Sequence, residues 1–509
     1  MLLSFEVHVL YHITASKSRF FEIFCKKMNI SGTKSEKIVI SAVFVLLTAV
    51  YVSLIWNNNV WMDEAFTASL VHTDFAGVIS RSMADTLPPL YNIILKIMTS
   101  VFGYNISVMK FASVIPMVLT LFAGARTVRK RFGFMTALLF MIFLTFMPLM
   151  LYFGVEIRMY SLGFLFATVS GIYAYEAAID GSKSDWMWFI LFSTLAGYSH
   201  HFAFVTVAFA YLYLLLYFIF RNRGRLSEWF ICLAATFVLY LPCLIVTIRQ
   251  ISMVNGYFSM PDVDLAMFIQ YLLYPFTVGI TPASVLCLLI MLSAIAVFIV
   301  NVVNKKSICA DMVFALCAFS VYYGVLIFGT IISKLMSANI FVDRYLFFST
   351  GLLWLSAAVM LSREKKTWIA AVIASLAVGA CTYHVMYNTE YKNTADEEIT
   401  FLRENIGEGD VYFSIGGHEE MQNCIPFYTI LDPDTAELEF VYPLDKAIAE
   451  ADERGTTLWV SVLDGFAPSD EDLKMLEEDG LFLDKQADFE FDRYRCSFYK
   501  ATRQSFVKK

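Results

Sequence analysis

Carboxylates stand in an unusual place in this chain, in a loop between two strongly apolar stretches. Asp63 and Glu64 follow the first apolar run, and Asp85 lies farther along, just before Leu87–Tyr91. Acidic residues between membrane segments often mark function, and a carboxylate within hydrogen-bond reach of a hydroxyl can act as a general base. The spacing alone is equally consistent with a solvated pair at Asp63 and Glu64 that helps to fix orientation, and with an N-cap at Asp85.

Further polar residues lie at the ends of later apolar runs. Glu156 and Arg158 stand in the segment YFGVEIRMY, which ends at Tyr160, and His200 and His201 form an adjacent pair. Charges between long apolar runs tend to face a cavity. A local ion pair in a tight extracellular turn is the alternative for Glu156 and Arg158, and a place in an aromatic belt is the alternative for the histidines.

A last pair, Arg344 and Tyr345, occurs in the segment FVDRYLFF. A long basic side chain at this position can simply extend toward the membrane surface while its stem stays in apolar surroundings. The other interpretation is an arginine that pairs with a phosphate group, which its planar guanidinium suits.

The elements that would position these residues are membrane-spanning helices. The chain has 509 residues, 58% of them hydrophobic, which predicts a polytopic membrane protein. We assign eleven spans at about 39–55, 105–125, 133–153, 159–179, 186–199, 202–220, 228–248, 284–303, 309–332, 345–361 and 367–386. The fifth rises only about 20 Å against roughly 30 Å of hydrocarbon, which would place His200 and His201 in a cavity below the membrane surface.

The distribution of charge predicts the orientation in the membrane. With the N-terminus inside, the inner loops contain 13 Lys and Arg residues, and the outer loops before the tail contain six. This asymmetry follows the positive-inside rule for a multi-pass protein of the plasma membrane. It places the loop 56–104, the histidine pair and the C-terminal tail on the outer face. The sequence contains no nucleic-acid-binding motif, so nucleic acid is not an expected partner.

The chain divides into three predicted parts. Residues 1–38 form a cytoplasmic segment, residues 39–387 form the membrane domain with its outer loop 56–104, and residues 388–509 form an acidic soluble domain of net charge −16. Alternating strand and helix patterns in this tail predict a small α/β domain. The expected fold class is therefore an α-helical membrane protein with about eleven spans and an extracytoplasmic α/β domain.

The order of these motifs resembles that in the membrane glycosyltransferases of the GT-C class. The resemblance is to the families of protein O-mannosyltransferases and of the lipid A aminoarabinose transferase, and to their bacterial relatives, and it covers roughly residues 39–361. Those proteins show DEA in the first outer loop, then DHPPLYY, SQEARMY and THY. The corresponding stretches here are Asp63–Ala65, Asp85–Tyr91, Gly154–Tyr160 and Ser199–His201. Leu87 stands where the family usually has His, and Val155 where it has Gln.

The resemblance implies transfer of a sugar from a polyprenyl-phosphate donor, within the membrane lipid, to a hydroxyl of an envelope glycan, lipid or protein. It makes Asp63 the expected general base, with Glu64 supporting it. The phosphate leaving group needs a cation, either an arginine, with Arg344 and Arg158 as candidates, or a divalent metal ion. Asp85, Glu156 and His200 then either hold such an ion or orient the acceptor. The remaining expected substrate-binding residues are Tyr91, Tyr160, His201 and Tyr345.

Two other classes of function are compatible with the composition. A transporter or lipid flippase would often show inverted repeats and helices broken at the midplane. No matching halves are evident, and the candidate site residues concentrate on the predicted outer face. A structural or sensory membrane protein whose tail binds a partner is a third interpretation, which the tail neither supports nor excludes.

Overall fold

The structure is a computed structural model. It describes residues 33–257, 263–277, 281–305, 309–336, 340–389, 395–415, 418–431, 435–491 and 494–503. Its contacts divide the chain into two compact units, each of which is discontinuous in sequence. The first consists of Met1–Leu54, Ile79–Tyr91 and Phe111–Val385, and the second of Ile55–Val78, Asn92–Lys110 and Met386–Lys509.

Helices account for most of the described chain before the tail. They are α1 (Lys34–Ser53), α2 (Met62–Val71), α3 (Phe75–Ala84), α4 (Leu90–Phe102), α5 (Ile106–Ala123), α6 (Phe134–Phe146), α7 (Met150–Val155), α8 (Tyr160–Ile179), α9 (Lys183–Ser199), α10 (His201–Arg221), α11 (Leu226–Tyr257), α12 (Leu265–Leu273), α13 (Thr281–Lys305), α14 (Ala310–Leu335), α15 (Phe347–Leu361) and α16 (Lys365–Thr389).

Nine helices among the described residues are long and apolar enough to cross a membrane. All eleven predicted spans fall on helices, although the third and fifth correspond to shorter ones. The third is divided between α6 and α7, because the chain turns at Leu149, a residue in the left-handed conformation with φ of 72°. The fold class is confirmed, and the number of membrane crossings stays a prediction.

Local sequence explains where several helices begin. Thr33 accepts a hydrogen bond from the N–H of Glu36, whose side chain accepts one from the N–H of Thr33, so a capping box starts α1. Ser182 and Asp185 form the same arrangement at the start of α9. Such caps satisfy the first N–H groups of a helix, which have no partner within it.

The C-terminal part of the second unit is a mixed five-stranded sheet with helices. Its strands are β1 (Val411–Ile415), β2 (Glu439–Phe440), β3 (Leu458–Leu463), β4 (Leu481–Phe491) and β5 (Tyr494–Arg503), and its helices are α17 (Ala395–Asn405), α18 (His418–Leu431), α19 (Leu444–Arg454) and α20 (Asp470–Glu478). The strand order is β2-β1-β3-β5-β4, with β1 parallel to β2 and β3, and β5 antiparallel to β3 and β4. The predicted α/β tail is thereby confirmed.

One face of this sheet carries one hydrophobic cluster of the tail. Val411, Phe413 and Ile415 alternate along β1 and are all buried, together with side chains of α19 such as Leu444 and Ile448. A period of two along a strand places such residues on one face, and the spacing of four residues along α19 gives that helix one apolar stripe.

Candidate functional site

The candidate residues divide between the two units. Asp63 and Glu64 belong to the second unit, and the remaining candidates belong to the first. The arginines and histidines therefore belong to the unit that contains most of the long apolar helices, whereas the two adjacent carboxylates belong to the unit that contains the C-terminal sheet.

Asp63 and Glu64 occupy the first turn of α2 and have different surroundings. Glu64 is buried, and its carboxylate accepts a hydrogen bond of 3.1 Å from the N–H of Trp61, the residue that precedes the helix. Asp63 is only partly buried. Its backbone carbonyl accepts a hydrogen bond from the hydroxyl of Thr67 one turn later. Glu64 thus caps the start of the helix, and Asp63 is the less buried residue of the two.

The segment Asn57–Val60, which leads into α2, is held by buried polar side chains from distant parts of the second unit. The ammonium group of Lys110 is buried and donates to the carbonyl oxygens of Asn57 and Asn59, at 2.8 and 2.9 Å. The hydroxyl of Tyr428 in α18 accepts from the N–H of Val60 at 3.1 Å and donates to the carbonyl of Asn58 at 3.2 Å. Burial raises the pKa of Tyr428 well above its usual value, so its hydroxyl keeps the proton that it donates.

The start of α17 provides two more contacts with the same segment. The side-chain amide of Asn58 donates to the carboxylate of Asp396 at 2.7 Å, and the N–H of Ala395 donates to the side chain of Asn59 at 3.2 Å. α2 itself packs against α18. The position of Asp63 relative to the C-terminal sheet is therefore fixed within one unit by paired backbone and side-chain groups, since buried polar groups that lose their partners are costly.

In the first unit, a histidine lies at the junction of α9 and α10. His200 is 1% exposed, and its Nδ1 accepts a hydrogen bond from the N–H of Phe202, so Nε2 carries the proton of the neutral ring. Nε2 is buried and makes no hydrogen bond with the residues that the structure describes. Tyr345 and Phe348 lie against the ring, with centroid distances of 4.7 and 4.4 Å.

Two charged candidates of the first unit, Arg158 and Arg344, lie near this histidine. The positive charges of Arg158 and Arg344 both act on the His200 ring, and the ring of Tyr160 lies 6.5 Å from it. Arg158 is 8% exposed and Glu156 is 3% exposed, which excludes a solvated surface turn for this pair. We call the set formed by Arg158, His200 and Arg344 the cationic cluster, because the charges of both arginines act on the histidine ring.

A neighbouring contact fixes the turn that carries Asp85. The side-chain amide of Gln250 donates to the carbonyl of Leu87 at 2.9 Å, and its oxygen lies 3.2 Å from Nε2 of His201. The backbone of Thr86 also hydrogen-bonds to His201. His201 therefore holds this turn rather than standing as a passive neighbour in an aromatic belt.

Tyr91 and Asp85 have distinct environments within the same turn. Tyr91 is buried, and its hydroxyl shares a hydrogen bond of 2.6 Å with that of Ser113 in α5. Asp85 is partly buried and accepts a hydrogen bond from the hydroxyl of Thr86. Tyr91 therefore anchors the turn to α5.

Among the residues that the structure describes, no group of three or more His, Cys, Asp or Glu side chains is arranged to hold a metal ion. The metal role of Asp85, Glu156 and His200 stays a prediction that this geometry does not support.

Sequence reasoning missed four residues that lie near the candidate residues, namely Lys110, Gln250, Tyr274 and Tyr428. The charges of Glu156 and Asp343 act on Tyr274, which is buried beside Tyr160. Lys110 could have been found from the sequence, because a lysine inside an apolar span has a high free-energy cost unless its charge is paired. The other three are uncharged and gave no such signal.

Comparison with known proteins defines the class to which this fold belongs. Residues 86–248, less than half of the chain, match the model of the family described as dolichyl-phosphate-mannose-protein mannosyltransferase. This region contains the Asp85–Tyr91 motif from Thr86 onward, the Glu156–Tyr160 motif and the histidine pair. No curated protein matches the sequence.

Solved structures match over almost the whole chain. ArnT from Cupriavidus metallidurans in the apo state is 11% identical, with a TM-score of 0.61 over 91% of this chain and 97% of ArnT. The same protein bound to undecaprenyl phosphate gives a TM-score of 0.62 at 11% identity, over 92% of this chain and 98% of ArnT. The family match and the shared fold confirm the resemblance to GT-C-type membrane glycosyltransferases.

Proposed function

We propose that this protein transfers a sugar from a polyprenyl-phosphate-linked donor to an acceptor hydroxyl on the outer face of the membrane. The observation that carries the proposal is the cationic cluster, in which Arg158 and Arg344 act on the buried ring of His200. Two arginines that both act on one buried histidine suit an anionic ligand, because guanidinium groups bind phosphate through charge-assisted hydrogen bonds. The shared fold with ArnT, which binds undecaprenyl phosphate, supports a lipid phosphate as that ligand.

The roles of the residues follow from the chemistry of the transfer. The acceptor oxygen loses a proton as it forms the new bond to the anomeric carbon, and the bond from that carbon to the phosphate oxygen breaks. Asp63 is the proposed base, because Glu64 is committed to the start of α2. Arg158 and Arg344 neutralise the charge that develops on the departing polyprenyl phosphate, and the protonated Nε2 of His200 can donate to one of its oxygens.

The direct test is consumption of the donor by the full-length protein in nanodiscs. Polyprenyl-phosphate hexoses and pentoses are supplied one at a time, and release of polyprenyl phosphate is followed by mass spectrometry with an envelope extract as acceptor. Release that depends on protein and acceptor supports the proposal. If the sugar-linked lipid instead moves intact between leaflets, the protein is a flippase and the proposal is wrong.

A further inference from the structure

A cavity of about 630 Å³ lies between α8, α10 and α14 of the first unit. Its walls combine small and apolar side chains, among them Ala174, Ala210, Leu214, Ala318, Val321 and Leu352. Phe220 and Val313, which also line it, are 76% and 37% exposed, so the cavity reaches the outer surface of the helices. Its size falls in the range of small-molecule sites, and its lining suits a hydrocarbon chain.

The cavity lies far along the helices from the cationic cluster. Tyr160, beside His200, begins α8, whereas Tyr175 near the end of the same helix lines the cavity. Fifteen residues of helix separate them by about 22 Å. The cavity is consequently near the opposite end of the helices, where α8 and α10 end and α14 begins.

Several cations at that end of the first unit form ion pairs. Arg131 contacts Asp180 at 3.2 Å, Arg225 contacts Glu228 at 2.8 Å, and Arg363 contacts Asp311 at 2.5 Å. Arg221, the last residue of α10, differs from them because it lines the cavity and is exposed. Its side chain makes no hydrogen bond or ion pair with the described part of the chain.

We infer that this cavity binds an anionic phospholipid, with one acyl chain between α8, α10 and α14 and the phosphate group on Arg221. The apolar walls suit the acyl chain of such a lipid, and the guanidinium of Arg221 at their end suits its phosphate group. Basic pockets between transmembrane helices on the cytoplasmic side are known to take anionic head groups, and the positive-inside rule places this basic end there. The site is independent of the sugar donor, whose phosphate belongs at the cationic cluster.

The test measures lipid retained by the full-length protein after exchange from nanodiscs that contain equal amounts of phosphatidylglycerol and phosphatidylcholine. Native mass spectrometry counts each lipid on the wild-type protein and on two variants. Arg221→Gln removes the cation, with Arg223→Gln as a control two residues away. Ala318→Phe fills the cavity, with Leu316→Phe as a control on α14, because Leu316 is 47% exposed and does not line the cavity.

The wild-type protein is expected to retain phosphatidylglycerol in preference to phosphatidylcholine. One arginine near the membrane surface is worth about fivefold in affinity for an anionic lipid, so Arg221→Gln should reduce the preference by about that factor. Ala318→Phe should abolish retention of both lipids, and both controls should behave as wild type. Equal retention of the two lipids by the wild-type protein, or an Arg221→Gln variant indistinguishable from Arg223→Gln, would overturn the inference.

A third measurement tests whether the cavity binds the prenyl tail of the donor or a phospholipid. If the tail occupied the cavity, Ala318→Phe would weaken binding of a long-chain polyprenyl phosphate more than that of a short-chain one, and phosphatidylglycerol retention would be unchanged. That pattern would contradict a phospholipid site. Unchanged binding of both polyprenyl phosphates, together with lost phosphatidylglycerol, supports it.

Discussion

The hydroxyl of Tyr428 accepts a hydrogen bond from the backbone N–H of Val60, although 368 positions separate the two residues in sequence. Val60 lies three residues before Asp63, and Tyr428 lies in α18 next to the C-terminal sheet. Because the same hydroxyl also donates to the carbonyl of Asn58, one side chain satisfies two backbone groups of the segment that positions the proposed base. The C-terminal sheet unit is therefore part of the machinery that orients Asp63.

Tyr428→Phe should lower turnover by about tenfold without abolishing it. The substitution leaves the N–H of Val60 and the carbonyl of Asn58 without this partner, and small misplacements of a catalytic group are costly. Donor affinity should stay within about twofold, because the phosphate is assigned to the arginines. Tyr499→Phe on β5 serves as the control. Wild-type turnover in a folded Tyr428→Phe protein would contradict the positioning role.

Asp63→Asn should reduce turnover by about 10²- to 10⁴-fold, because it preserves the shape of the side chain but removes the proton acceptor. The rate of polyprenyl phosphate release, measured at saturating donor, is the readout. Asp74→Asn is the matched control, since Asp74 is an exposed carboxylate of the same predicted outer loop. Turnover within about threefold of wild type would show that Asp63 is not the base, and Glu64, Asp85 or Glu156 would become the candidates.

Arg344→Ala should weaken donor binding as well as turnover. Loss of a charge-assisted contact to phosphate should lower donor affinity by about tenfold or more. Binding of polyprenyl phosphate to the protein in nanodiscs gives the affinity directly. Lys334→Ala provides a control, as Lys334 is an exposed cation at the end of α14. If both variants bind the donor equally well, Arg344 does not hold the phosphate.

Glu398 makes the stability of the second unit depend on pH. It is 3% exposed, and its burial raises its pKa from 4.5 to about 8, although one carboxylate oxygen accepts a hydrogen bond of 2.6 Å from the N–H of Glu490. Between pH 4.5 and about 8, this carboxyl stays protonated in the folded protein, whereas it loses its proton in the unfolded chain. The free energy of unfolding should consequently fall as the pH rises through this window.

Glu398→Gln should remove this dependence and stabilise the protein at alkaline pH by on the order of 3 kcal/mol. Thermal unfolding of the full-length protein from pH 5.5 to 9, followed by tryptophan fluorescence, measures the difference between variant and wild type. Glu397→Gln is the control, because Glu397 is the exposed neighbour. A gap between the Glu398→Gln and wild-type curves that stays constant with pH would show that this carboxyl does not titrate as described.

The predicted topology places residues 388–509 outside the cytoplasm. A reporter that is active only in the cytoplasm should therefore give no signal when fused after Lys509, whereas fusion within the loop after Arg221 should give one. A strong cytoplasmic signal from the C-terminal fusion would place the outer loop and Asp63 in the wrong compartment for the proposed transfer.

The local and short-range features of this protein can be predicted from its sequence. Runs of apolar residues long enough to cross a membrane must become helices, so all eleven predicted segments are helical in the structure. Capping depends on residues three apart, which is why Ser469 could be recognised as the start of α20. The strands β1 and β3 and the helix α19, which ends just before Gly455, also follow from local periodicity.

The arrangement of the site depends on contacts that no local pattern contains. The sequence presents Asp63 and Glu64 as equivalent neighbours, but the fold buries Glu64 at the helix start and leaves Asp63 more accessible. α17 and α18 were not predicted, and α18 even contains Pro426, yet Tyr428 of α18 holds the segment before Asp63. Hydrogen bonds between residues hundreds of positions apart form only when packing brings them together, and a buried polar group is stable only with such a partner.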